Sequence, residues 1–105
     1  MRYALVSDLH ANIQAWNAVF QDILNIGVDQ IVSLGDIVGY GPDPMRVIES
    51  CYANVHHFVM GNHDAAACGK MPLKRFSTDS RQIINWTSRQ LDDAAIDFLS
   101  EQPFV

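Results

Sequence analysis

Residues 33–44 read Ser33-Leu34-Gly35-Asp36-Ile37-Val38-Gly39-Tyr40-Gly41-Pro42-Asp43-Pro44. The stretch closes one apolar run and opens a helix, with a Gly- and Pro-rich loop between. The run before it, Gln30 to Leu34, reads as a strand ended by Gly35-Asp36. Asp43-Pro44 reads as an N-cap and first helical residue, because proline presets φ and lacks only a donor that the first turn leaves unused. That helix is expected to run to about Tyr52.

The same grammar repeats on both sides. Upstream, Tyr3 to Ser7 is a short apolar run that stops at Asp8, as a buried parallel strand does. Asn12 then caps a helix to about Ile26. Ile13, Trp16, Val19, Phe20, Ile23 and Leu24 fall at helical spacing, and Gly27 stands where the helix should stop. Downstream, Val55 to Met60 reads as a third strand ended by Gly61-Asn62. Residues 65–76 carry no clear pattern. A helix is expected from about Asp79 to Gln90, with Ile83, Ile84 and Trp86 facing inward. Asp92 caps a last helix through Ala95, Ile96, Phe98 and Leu99, ended by Pro103. Strands alternating with helices build a parallel sheet through right-handed crossovers, so the fold class is α/β.

Parallel strands send all their carboxyl ends to one edge of the sheet, where ligands bind in such folds. Each strand here ends in residue types that bind metals: Asp8-Leu9-His10, Gly35-Asp36, and Gly61-Asn62-His63-Asp64. Asp8 and His10 offer an oxygen and an imidazole to a first ion. Asp36 offers two oxygens that can bridge two ions, and Asn62 offers an amide oxygen to the second. Mixed N/O ligation suits Mn, Fe, Zn or Ni better than Ca or Mg. Two such ions about 4 Å apart can clamp both oxygens of an in-line displacement at phosphorus. His63 is placed to protonate a leaving alkoxide. Asp64 would orient His63 or anchor the loop. Gly35 and Gly61 would let backbone pass close to the ions.

Asp8-x-His10, the GD head of Gly35 to Gly41, and the GNHD block Gly61 to Asp64 together resemble the calcineurin-like metallophosphoesterases, most nearly their bacterial and archaeal members. The resemblance implies one half of a four-layer αββα sandwich. It implies that Asp8 and His10 bind the first metal, that Asp36 bridges, and that Asn62 binds the second. It makes His63 the general acid or transition-state stabiliser, with a metal-held hydroxide as nucleophile. The substrate expected is a small phosphoester or a nucleotide, hydrolysed with two divalent ions. Where the family's protein phosphatases carry Asp-Arg-Gly, this chain has Gly39-Tyr40-Gly41, so their phosphate-gripping arginine is absent. The family completes its site with later histidines, and this chain has none after His63. The expectation is a single partial domain over residues 1–105, a truncated piece with an incomplete site and weak or no activity alone. Its sheet face meant for the second sheet would be bare, inviting a second copy or a swapped element. A non-catalytic scaffold, as in some family members, is the alternative. Retention of every first-half motif favours the enzyme.

Composition narrows the classes. The chain has 105 residues, of which 49% are hydrophobic, enough for one packed domain. Its formal charge of −5 disfavours a nucleic-acid or anionic-membrane surface. There is no apolar run of membrane-spanning length and no secretory leader pattern. Cys51 and Cys68 lack CxxC spacing and read as reduced thiols, which points to the cytoplasm. His56 and His57, near the start of the third strand, read as structural or surface residues. Lys70, Lys74 and Arg75 read as a solvated loop, and Trp16 and Trp86 as core. Tyr40 either walls the substrate site or packs.

Overall fold

A computed structural model describes residues 1–104. Three parallel strands form one sheet in the order β1 (Tyr3–Val6), β2 (Gln30–Ser33), β3 (His57–Phe58). Tyr3 pairs with Gln30 and Val6 with Ser33, while Val32 and Ser33 pair with His57 and Phe58. The helices are α1 (Ile13–Ile26), α2 (Pro44–Asn54), α3 (Asn62–Ala67), α4 (Thr78–Gln90) and α5 (Asp93–Ser100), with a 3-10 turn at Leu73–Arg75. The expected α/β class and helix order hold.

Local chemistry sets the helix ends. Asn12 accepts a hydrogen bond from the Ala15 N–H at 3.0 Å, and Asp92 accepts from Ala95 at 2.8 Å, each satisfying an orphan donor of a first turn. Gly27, at φ +80°, ends α1 by donating to the Ile23 carbonyl. Asp43 holds the N-cap position of α2, but its side chain makes no capping bond. Pro44 at the first position presets that start instead.

One apolar core lies on a single face of the sheet. Ile13, Trp16 and Ile23 of α1, Val47, Ile48 and Cys51 of α2, and Ala95 and Leu99 of α5 pack with Ile31, and Ala4, Val6 and Phe58 lie against them. Trp16 is fully buried, and its indole N–H donates to Ser50 Oγ at 2.8 Å, tying α1 to α2 without a stranded donor. The opposite face alternates out of this core. Tyr3 and Leu5 are 53% and 66% exposed, and Leu34 is 47% exposed.

Four expectations need correction. The third strand is two residues long rather than Val55 to Met60, although His56 N–H and Val59 N–H still donate to Ile31 and Ser33 carbonyls. Residues 62–67 coil at once into α3, which the sequence pattern did not indicate. Val19 and Leu24 of α1 are exposed, so its buried stripe is narrower than its apolar spacing. Trp86 is 38% exposed, because the inward stripe of α4 is Ile84, Thr87 and the following Leu91.

Candidate metal centre

The loops after β1 and β2 continue to pair past the strands. Asp8 N–H donates to the Gly35 carbonyl at 3.1 Å, His10 to Asp36 at 3.0 Å, and Ala11 to Ile37 at 2.8 Å. This ladder carries the ligand-type residues of both loops to one edge of the sheet. Holding them there requires unusual backbone. Asp8, His10, Ala11, Asp36 and Tyr40 all have positive φ, between 46° and 65°. Such conformations cost of order 1–3 kcal/mol each and collect where function needs them.

The loop after β3 is stapled to the same edge by Asp64. Its carboxylate is buried and accepts four backbone N–H bonds, from Asp36 (2.8 Å), Ile37 (3.0 Å), Val38 (3.2 Å) and Gly61 (3.1 Å). Burial pushes its carboxyl up to about 6; the donors from Gly61 and Val38 pull the other way, and the Asp36 charge adds to the rise. Asp64 therefore anchors the loop, and it makes no hydrogen bond to the His63 ring. The approach is close enough to need glycine. A Cβ on Gly61 would lie 2.3 Å from Asp36 Oδ1 and 2.4 Å from its nitrogen, and one on Gly35 would lie 2.6 Å from the Gly61 nitrogen.

Three of the expected side chains meet. One ligand atom from each of His10, Asp36 and His63 lies within 4.8 Å of the others. His63 Nδ1 is 3.4 Å from Asp36 Oδ1, which also accepts the His63 backbone N–H at 3.0 Å. Asp8 stands at the rim, more exposed, with Oδ1 3.5 Å from His10 Nε2 and Oδ2 held by the Ser7 hydroxyl at 2.9 Å. Asn62 is the first residue of α3 and is exposed.

The donor set fits a transition-metal ion on two observations. His10 Nδ1 lies 3.1 Å from the Val38 carbonyl, which can only accept. Nδ1 then carries the proton, and Nε2 turns its lone pair toward Asp8 and the cluster, the arrangement metal-binding histidines use. The His63 ring is buried, and neither of its nitrogens is hydrogen-bonded among the described residues. An unpartnered buried imidazole facing a carboxylate is costly unless something else takes its lone pair or proton.

Aromatic groups flank the cluster: Tyr40, which the sequence offered as a wall or a packing residue, and Phe76, which it did not reveal. The Tyr40 ring packs on His10 (5.0 Å between centroids) and on His63 (4.8 Å), and Phe76 lies 5.5 Å from His63. Gly39 leaves room for the His63 ring, which a Cβ there would meet at 3.0 Å. The remaining candidates fall elsewhere. Lys70 donates to the Ser100 carbonyl at the end of α5, and Lys74 and Arg75 are exposed on the 3-10 turn. His56 and His57 both reach across to β2, at the Ile31 nitrogen and the Gln30 side chain.

The model of the calcineurin-like phosphoesterases matches residues 1–100. The chain belongs to the calcineurin-like phosphoesterase family. Within it, the chain is 38% identical over 102 residues to an uncharacterised protein of Methanocaldococcus jannaschii, covering 97% of this chain and 42% of that protein. It is 29% identical to the symmetrical bis(5'-nucleosyl)-tetraphosphatase of Neisseria gonorrhoeae, covering 86% of this chain and 38% of that enzyme. A solved metallophosphoesterase from Sphaerobacter thermophilus superposes with a TM-score of 0.81 at 39% identity, over 98% of this chain and 41% of that one. The chain thus spans about two fifths of the relatives it matches. Both cysteines are free thiols. No helix among the described residues is long and apolar enough to cross a membrane.

Proposed function

We propose that this phosphoesterase-family chain forms the N-terminal part of a two-metal hydrolytic centre for a small phosphoester or nucleotide. The observation that carries the proposal is the meeting of His10, Asp36 and His63, with a buried His63 ring whose nitrogens have no hydrogen-bond partner among the described residues. Asp8 and His10 would hold one ion, Asp36 would face both, and Asn62 would face the second. When bound, two divalent ions supply Lewis acidity and an activated water.

The chain's own residues do the rest. The Val38 carbonyl fixes the His10 tautomer. The Asp64 staple keeps the Asp36 backbone in register with α3, so that Asp36 Oδ1 meets both the His63 backbone and its ring. His63 would donate a proton to a departing alkoxide or bond a phosphoryl oxygen. Tyr40 and Phe76 screen its ring from water, which strengthens each charge interaction inside. Residues 1–105 form one partial domain in this reading. Further donors to the ions come from outside it, and the chain alone is a weak catalyst. The nucleotide option draws support from the Neisseria relative, whose name describes a nucleotide substrate.

The test is Mn²⁺-stimulated hydrolysis of bis(p-nitrophenyl) phosphate by the protein expressed from its natural gene. Activity should vanish on chelation and fall about a hundredfold or more in Asp36→Asn, since even outer-shell partners of a metal site are worth up to that factor. Activity that survives both treatments contradicts the proposal.

A further inference from the structure

Tyr40 is a wall shared by two cavities. One, of about 440 Å³, is lined by Asp8, His10, Asn12 and the Tyr40-Gly41-Pro42 segment, and so borders the metal centre. The other, of about 370 Å³, lies across that segment and is lined by Tyr40, Gly41, Pro42, Gln82, Ile83 and Trp86. Both volumes fall within the range of about 300–1,000 Å³ common for small-molecule sites.

The second cavity has an unusual lining. Trp86 is 38% exposed and Tyr40 is 54% exposed, although α4 buries Ile84 and Thr87, two residues before Trp86 and one after it. Two large aromatic side chains thus stay in solvent around one recess beside the candidate centre. Tyr40 does not hang free there. Its backbone sits at φ 65°, and its ring is packed on His10 and His63. Gln82 adds an amide, which offers both a donor and an acceptor. Neither cavity is lined by Lys or Arg, so no side-chain cation draws an anion into them. Flat aromatic surface with one two-way polar group suits a heterocycle, because any base offers a π-face to stack and an edge to pair.

The geometry points to the Tyr40–Trp86 cavity as a nucleobase subsite, which holds the base of a nucleotide whose phosphate reaches over the Tyr40–Pro42 ridge to His10, Asp36 and His63. The role of the phosphate end rests on the phosphoesterase reading above. The base end does not. Trp86 and Tyr40 stack the ring, and Gln82 pairs with its edge.

Binding of adenosine 5'-monophosphate, ribose 5-phosphate and phenyl phosphate, measured by calorimetry with Mn²⁺ present, tests the assignment. Stacking on one aromatic ring commonly changes affinity by tenfold or more, so adenosine monophosphate should bind roughly tenfold tighter than ribose 5-phosphate. It should also quench tryptophan emission, since Trp86 is exposed while Trp16 is buried. Trp86→Ala should erase the tenfold difference without changing ribose 5-phosphate binding, and Trp86→Phe should restore most of it. Gln82→Ala should weaken adenosine monophosphate alone. Equal affinities for the two ribose phosphates overturn the subsite, as does an unchanged affinity in Trp86→Ala. Phenyl phosphate binding as tightly as adenosine monophosphate overturns the assignment to a nucleobase. Trp86-dependent base binding by a protein that hydrolyses no phosphoester would sink the phosphoesterase reading and leave the subsite standing.

Discussion

Gly61→Ala isolates the close contact that assembles the centre. Gly61 has φ −85°, ordinary for any residue, so alanine carries no backbone penalty there. The cost is steric. The new Cβ would sit 2.4 Å from the Asp36 nitrogen and 2.3 Å from Oδ1, and backbone cannot swing aside as a flexible side-chain tip can. Overpacking of this kind costs about 1–3 kcal/mol. If Asp36 retreats, its carboxylate loses the His63 N–H bond, and a bond to an ionised acceptor contributes about 1.5–3 kcal/mol. Taken near the low end of both ranges, the joint loss is about 3 kcal/mol, a large share of the roughly 5–15 kcal/mol that holds a small domain. It corresponds to a fall in Tm of about 10–20 °C for a chain of this size. Gly69→Ala is the control. It places a Cβ in open space but at φ +86°, so only backbone strain of about 1 kcal/mol applies. Urea denaturation with chelator present gives both stabilities, and Mn²⁺ titration gives the site. Gly61→Ala should cost more than Gly69→Ala and should weaken Mn²⁺ binding, whereas Gly69→Ala should leave binding unchanged. A Gly61→Ala protein as stable as Gly69→Ala, with full Mn²⁺ affinity, would refute the reasoning.

Two further outcomes follow from the ionisable groups. Burial, reinforced by the Asp64 charge, pushes the Cys51 thiol up to about 12, and burial also raises the half-buried Cys68. At pH 8 an alkylating reagent should therefore modify Cys68 first and Cys51 only on unfolding; peptide mass spectrometry showing equal rates would contradict this. Asp64 holds its proton more tightly folded, at about 6, than its ordinary 3.8. Its contribution to stability is therefore full below about pH 3.8 and is lost as pH rises through about 6, a change of about 3 kcal/mol at 1.36 kcal/mol per unit. In metal-free urea melts Asp64→Asn should flatten that pH window, and a variant with the wild-type profile would exclude Asp64 as its source.

Much of the centre was legible because parallel topology does the gathering. Asp8, His10 and Asp36 stand at strand ends, and a parallel sheet sends such ends to one edge whatever their separation in sequence. The staple was legible only as one of two roles. Asp64 follows a ligand-type pair, a place that suits an orienting group for His63 as well as a loop anchor, and the structure uses it as the anchor. Its four backbone partners lie in two loops, whose approach depends on tertiary contacts such as those at Gly35 and Gly61. Trp86 misled for a different reason. Helical spacing offers Ile83, Ile84 and Trp86 as inward residues, whereas the stripe that packs uses the polar Thr87 between Ile84 and Leu91. Residue type outweighed geometry in that reading, and the side chain it misplaced lines the cavity beside the centre.

Mn²⁺ titration of the wild-type protein expressed from its natural gene and of its Asp36→Asn variant, followed by electron paramagnetic resonance, tests the central claim most directly. Saturable binding by the wild type, weakened at least about tenfold in Asp36→Asn, is the predicted result. Absence of saturable binding in the wild type, or equal binding by both proteins, would contradict a metal centre at His10, Asp36 and His63.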